Sequence, residues 1–148
     1  MQQRKVETLI VRVGMPQAGL LSCVADDVFD APIDPAQLVA YLAAPGHLMV
    51  IALAADLVVG QVRGMIHWHP DQPAELYIDN LGVAPSRRRE GVATRLLDEL
   101  TAWGRSLGCG SVWLGTEVAN AAARTLYSGR GLETQTFVLF SGSLEDLP

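Results

Sequence analysis

The chain is 148 residues long, enough for one domain around one core, and its 49% hydrophobic content excludes a disordered tail. Its net charge is −5, with no broad basic face for nucleic acid and no apolar run long enough to span a bilayer. Cys23 and Cys109 lack the spacing of a disulfide staple or a zinc site. Met1-Gln2-Gln3-Arg4-Lys5 leads into a strand-like segment and not into a signal-peptide core, so a cytoplasmic location is the default expectation. Val6 to Val13, rich in β-branched residues, predicts a first strand ended by Gly14 and Pro16. Leu20 to Phe29 predicts a short helix ending in an acidic patch. Asp34-Pro35 sets a capping residue before proline at a first helical position, and predicts a second helix to about Ala43. Leu48 to Ala54 reads as a buried strand and, after a hairpin at Asp56, Leu57 to His69 as a long one. A Pro-rich loop, Pro70 to Pro73, leads to a fourth strand, Glu75 to Val83.

From Gly91 onward Val92, Leu96, Leu97, Leu100, Trp103 and Leu107 recur at helical spacing, and Gly108 closes the helix. Ser111 to Gly115 predicts a fifth strand. Asn120 caps a helix through Tyr127 that Gly129 and Gly131 end, and Leu132 to Phe140 alternates as a last strand. Strand–helix–strand units need parallel crossovers and hairpins give antiparallel pairs, so the sheet is mixed.

Of the 11 basic residues none lies between Arg12 and Arg63, an interval that holds Asp26, Asp27, Asp30, Asp34 and Asp56. Arg87, Arg88 and Arg89 form the one compact basic spot. A concentrated basic spot suits a small polyanion, and an acidic half suits a cationic partner such as an amine. His67 and His69 would face one side of a strand, but two ligands on one strand are not a site, so no metal is expected.

The stretch Leu81-Gly-Val-Ala-Pro-Ser-Arg-Arg-Arg-Glu-Gly-Val-Ala-Thr94 runs from a strand end through a proline turn into a helix start. Unpaired N–H groups and the helix dipole make such a junction an anion site; Gly91 and Ala93 leave the backbone open, and arginine adds forked donors. Arg88-Arg89-Glu90-Gly91-Val92-Ala93 resembles the Arg/Gln-x-x-Gly-x-Gly/Ala signature of the GNAT superfamily of N-acetyltransferases. Asn120-Ala-Ala-Ala123-Arg-Thr-Leu-Tyr127 to Leu132 resembles that family's second motif, with Leu132 in place of the usual Phe. The order of elements is the family's order over nearly the whole chain. The resemblance therefore implies an α/β (α+β) fold in a single domain, residues 1–148. It has a mixed, mostly antiparallel sheet of about six to seven strands, splayed between the fourth and fifth and flanked by about four helices.

The same resemblance implies acetyl-CoA as co-substrate. Backbones of Leu81 and Val83 would pair with its pantetheine arm, and Gly82 would let the strands splay beside the thioester. Arg88, the N–H groups of Arg89, Glu90, Gly91, Val92 and Ala93, and the Thr94 hydroxyl would face the pyrophosphate. Asn120 and Ala123 would touch the arm, and Tyr127 would protonate the leaving thiolate. Glu75 and Asp79 are the candidate general bases, with Glu117 a third choice. Asp26, Asp27 and Asp30 lie where the family builds its acceptor wall. Glu75 to Val83 looks most like the type I aminoglycoside 3-N-acetyltransferases, although their acidic residue before Leu-x-Val is Asn80 here. The expected activity is acetylation of a primary amine on a small cationic acceptor by direct attack in a ternary complex. A protein or peptide N-acetyltransferase and a non-catalytic acyl-CoA-binding module are the alternatives. The last strand is a plausible edge for a homodimer.

Overall fold

In the computed structural model, which describes residues 6–148, the β-branched runs of the first half become neighbouring strands. β1 (Thr8–Val13), β2 (His47–Ala54), β3 (Leu57–His67), β4 (Glu75–Val83) and β5 (Ser111–Trp113) lie side by side in that order. The first three pairings are antiparallel and β4–β5 is parallel. The helices are α1 (Pro35–Ala43), α2 (Val92–Ser106) and α3 (Ala121–Gly129). The mixed, mostly antiparallel architecture is the expected one. Contacts divide the chain into two compact units, one ending at Leu114 and the other spanning Gly115–Pro148, and each is described by itself. Among the described residues no helix is long and apolar enough to cross a membrane.

In the first unit, local chemistry fixes the elements. Asp34 accepts from Gln37 N at 2.9 Å and Pro35 opens α1, as the Asp-Pro pair predicts. The glycines within β3 admit α2. A Cβ on Gly60 would come within 3.1 Å of Val92, and one on Gly64 within 3.0 Å of Leu100. Leu96, Leu97 and Leu100 are thereby fully buried against the sheet, each contributing about 1.5–3 kcal/mol. Gly108, at φ 82°, ends the helical stretch in the left-handed conformation that glycine adopts without strain.

Three expectations are corrected. Residues Leu20 to Phe29 do not form a helix; a 3-10 turn spans Met15–Ser22 instead. The backbone beyond it is captured by β3, with Ala25 N donating to Val58 O at 2.9 Å and Val58 N to Cys23 O at 3.0 Å. Asp27 is left-handed at φ 63°, which no α-helix accommodates. Second, Leu132 to Phe140 forms no strand, so the sheet has five strands, not six or seven. Alternation marks an apolar face, but a strand exists only where a ladder partner takes its N–H and C=O groups. Third, β3 stops at His67, which leaves His69 in the connection to β4.

Candidate active site

β5 pairs with β4 only over Glu75, Leu76 and Tyr77, opposite Ser111, Val112 and Trp113. The last rung carries the Tyr77 and Trp113 rings, 4.4 Å apart. Beyond it, no strand among the described residues lies on that side of β4, so the backbone edge from Ile78 to Val83 is open. Leu81, Gly82 and Val83 sit there, held from the other side by Val62, Gln61 and Gly60. After Val83 the buried Ala84 anchors the turn, its N–H donating to Val59 O at 2.8 Å. Pro85–Arg87 is one 3-10 turn.

Arg89 (φ 65°) and Gly91 (φ 77°) are both left-handed, and α2 begins at Val92. Gly91 supplies no side-chain cap, and the first turn of α2 holds no acidic residue. The N–H groups of Val92, Ala93 and Thr94 have no partner among the described residues. Arg87 pairs with Glu90 at 3.5 Å, which draws the nearest carboxylate onto a side chain. Arg88 and Arg89 are exposed and without an ion pair among the described residues. A Cβ added at Gly91 meets nothing within 4 Å. The combination is an open set of N–H donors with two free cations beside it, suited to a phosphate group.

The β3–β4 ladder is irregular where chemistry is expected. Gly64 pairs with Ile78 and Arg63 with Asn80, so Asp79 is an extra residue in a β-bulge. Paired residues share a face. Glu75, Tyr77, Asn80 and Gly82 therefore line up with His67, Met65, Arg63 and Gln61, whereas Leu81 and Val83 lie on the α2 side. Gln61 is fully buried on the first face. Its Nε2 donates to Val28 O at 3.1 Å and to Asn80 Oδ1 at 2.6 Å. Asn80 Nδ2 in turn donates to Asp30 Oδ2 at 3.2 Å. This chain ties the acidic segment to the bulge through Asp30. Asp26 and Asp27 are exposed and make no such bond. Gly82 has a packing reason of its own: a Cβ there would stand 2.1 Å from the Val28 carbonyl oxygen.

Arg63 lies over the Phe29 ring, 5.8 Å from its centroid. Tyr41 of α1 has its pKa pushed up to about 12 by burial, with Arg63 opposing and Asp79 reinforcing the rise. Asp79 is exposed, yet its charge is felt at Tyr41, on the side of Arg63. The Tyr41 hydroxyl, Arg63 Nε and Gln61 Oε1 are buried without partners among the described residues. Gln61, Tyr41, Arg63 and Phe29 were not singled out by sequence. The one legible signal was Gln61, a polar residue inside the apolar run Leu57 to Val62. Glu75 is engaged at both oxygens, by His69 Nε2 at 2.5 Å and by Ser111 Oγ at 3.2 Å.

In the second unit Asn120 spends its side-chain oxygen as the cap of α3, accepting from Ala123 N at 3.1 Å. Its amide NH2 makes no hydrogen bond with the described residues. Tyr127 sits in the last turns of α3, and burial raises its pKa above the ordinary phenol value. Its hydroxyl makes no hydrogen bond with the described residues, so it is a protonated donor at neutral pH. Glu117, also in this unit, accepts from Asn120 N through its backbone oxygen at 3.0 Å.

The family model described as "Acetyltransferase (GNAT) family" matches residues 21–132. No curated protein sequence gives a significant match. Among solved structures, the chain is similar to the aminoglycoside N-acetyltransferase AAC(6')-Iy in complex with the bisubstrate analog CoA-S-monomethyl-acetylneamine. That pair shares 20% identity over 93% of this chain and 98% of the other, with a TM-score of 0.78. The aminoglycoside acetyltransferase HMB0005 from an uncultured soil metagenomic sample is 21% identical over 93% and 99%, with a TM-score of 0.80. An acetyltransferase of Trypanosoma brucei is 17% identical over 93% and 100%, with a TM-score of 0.75. At these identities the likeness is one of fold.

Proposed function

The chain belongs to the GNAT family of acetyltransferases, and from that premise we propose that it acetylates a primary amine of a small cationic acceptor, using acetyl-CoA, by direct attack in a ternary complex. The observation that carries the proposal is the uncapped start of α2 beside Arg88 and Arg89, next to the open edge of β4. When bound, acetyl-CoA supplies the thioester. The N–H groups from Arg89 to Ala93, the Thr94 hydroxyl and the Arg88 guanidinium hold its diphosphate. The free backbone of Leu81 and Val83, with Gly82 between them, lines its arm. By the family motif, Tyr127 of the second unit is the proposed acid. A phenol kept neutral by burial donates its proton to the leaving sulfur.

The attacking amine must be neutral, and deprotonating a lysine-like amine near pH 7.4 costs about 4 kcal/mol, so a carboxylate assists. Of the two candidates Asp79 is the better placed. Glu75 is held by His69 and Ser111, and lies four residues back along β4, roughly 13 Å at ~3.3 Å per residue. Asp79 is exposed at the bulge, beside the Asn80–Asp30 pair. Asp30, with Asp26 and Asp27 nearby in sequence, favours a cationic acceptor, including amino sugars. Where an acidic residue would hold such a sugar, Asn80 instead presents an amide to Asp30. The exposed and unpaired Phe137, Val138, Leu139 and Phe140 favour a homodimer through residues 132–140 in a cytoplasmic enzyme.

The test is calorimetric titration with CoA, followed by release of free CoA from acetyl-CoA over a panel of amines. Wild-type protein should bind and Gly91→Glu should not, because a carboxylate would project into the phosphate site. A flat wild-type titration sinks the donor assignment. Binding without CoA release for any amine sinks transfer, and leaves an acyl-CoA-binding module.

A further inference from the structure

Away from the bulge, the far end of the β3–β4 hairpin gathers a second set of reactive side chains. His67 ends β3 and pairs directly with Glu75, which begins β4. His69 returns over them from the connecting segment. One ligand atom from each of His67, His69 and Glu75 lies within 4.8 Å of the other two. The two imidazole rings are 4.2 Å apart and tilted by 40°.

We propose that His67, His69 and Glu75 bind one divalent transition-metal ion of the zinc type, with water completing the coordination. Two imidazoles and a carboxylate are a donor set that Zn2+ accepts, and three protein ligands leave one tetrahedral position open. Bonds of about 2.0–2.2 Å put tetrahedral ligand atoms roughly 3.3 Å apart. The present separations, from 2.5 Å for His69–Glu75 up to the 4.8 Å limit, straddle that value. Side-chain torsions can close the difference without moving the ladder. His67 and Glu75 stand opposite each other on paired strands, so two of the three ligands are fixed by backbone register.

The surroundings are those of a site. Ser111 Oγ donates to Glu75 Oε2 at 3.2 Å, an outer partner that orients the carboxylate and leaves Oε1 for the ion. The His69 and Glu75 side chains are 16% and 26% exposed, whereas His67 is open to solvent and gives a path of entry. Binding requires both imidazoles neutral. The His69–Glu75 hydrogen bond then gives way to one metal bond from each side chain. The ion takes a carboxylate that acyl transfer leaves unused, so this site does not depend on the proposed reaction.

The competing explanation is a hydrogen bond between His69 and Glu75 that merely closes the connection, and in that case His67 is dispensable. Metal-stripped full-length protein is titrated with Zn2+ by calorimetry and with Co2+ by visible absorption. One Zn2+ per chain and a four-coordinate Co2+ spectrum are expected. His67→Asn and His69→Asn should each weaken binding at least tenfold, and His67→Asn should unfold in chelator at the wild-type temperature. No binding, several weak ions per chain, or wild-type affinity in His67→Asn overturns the proposal. Should His69→Asn fail to fold, His67→Asn alone decides.

Discussion

Gly82→Ala tests how the acidic segment is held against the sheet. The added Cβ would lie 2.1 Å from the Val28 carbonyl oxygen and 3.0 Å from the Val28 carbonyl carbon. Both are backbone atoms, so no rotamer relieves the clash, and the Val28 peptide must withdraw by about an ångström to reach ordinary contact. That oxygen accepts from Gln61 Nε2 at 3.1 Å, and Gln61 is fully buried with its own Oε1 already unpartnered. Overpacking costs about 1–3 kcal/mol and a lost bond to a buried donor about 1–3 kcal/mol, so about 3 kcal/mol is expected. For a chain of this size that lowers Tm by roughly 6–12 °C. Gly108→Ala is the control: glycine there has φ 82° but open space, so it should cost only about 1 kcal/mol. Thermal and urea unfolding monitored by circular dichroism measure both variants. A Gly82→Ala protein that melts within 2 °C of wild type, or no lower than Gly108→Ala, refutes the packing argument.

Three other outcomes follow from the site. Tyr41 has a folded-state pKa of about 12 against 10.0 for a free phenol, so folding disfavours its ionised form; stability is intact below pH 10 and falls as pH rises toward 12, by about 2–3 kcal/mol. Tyr41→Phe should match wild type at pH 8 and lose less stability at pH 11.5, as measured by urea unfolding; parallel losses in the two proteins count against it. Asn80→Asp sets a carboxylate against Asp30 at a contact that is now 3.2 Å, costing about 1 kcal/mol at this exposed position; the deficit should be full at pH 7 and vanish in acid as both groups protonate, whereas a pH-independent deficit contradicts the charge argument. Tyr127→Phe should lower turnover at least tenfold with CoA affinity near wild type, and unchanged turnover removes the phenol as acid.

What the sequence disclosed was periodic. Glu75–Val83, the α2 stripe from Val92 to Leu100, and the caps at Asp34 and Asn120 are local patterns, and local chemistry settles them. What it hid was tertiary. The Leu20 to Phe29 segment has helical spacing, but hydrogen bonds to Val58 from a distant strand outweigh that preference. Leu132 to Phe140 has strand alternation, but alternation cannot supply a neighbouring edge. The bulge depends on the β3–β4 register, which no single strand encodes. Gln61, Asn80 and Asp30 meet only after folding, as do His67, His69 and Glu75; two histidines were visible in sequence, and the hairpin supplied the carboxylate.

The bulge at Asp79 also sets how β4 responds to changes in length. Deleting that one residue would give an uninterrupted ladder, with Ile78 still opposite Gly64 and Asn80 still opposite Arg63, so every later side chain keeps its face. Leu81 and Val83 would stay on the α2 side, and Gly82 would stay against the Val28 carbonyl. Replacing Asp79 alters chemistry at one spot and losing it only straightens the strand there, so this position should tolerate many residue types and a one-residue deletion.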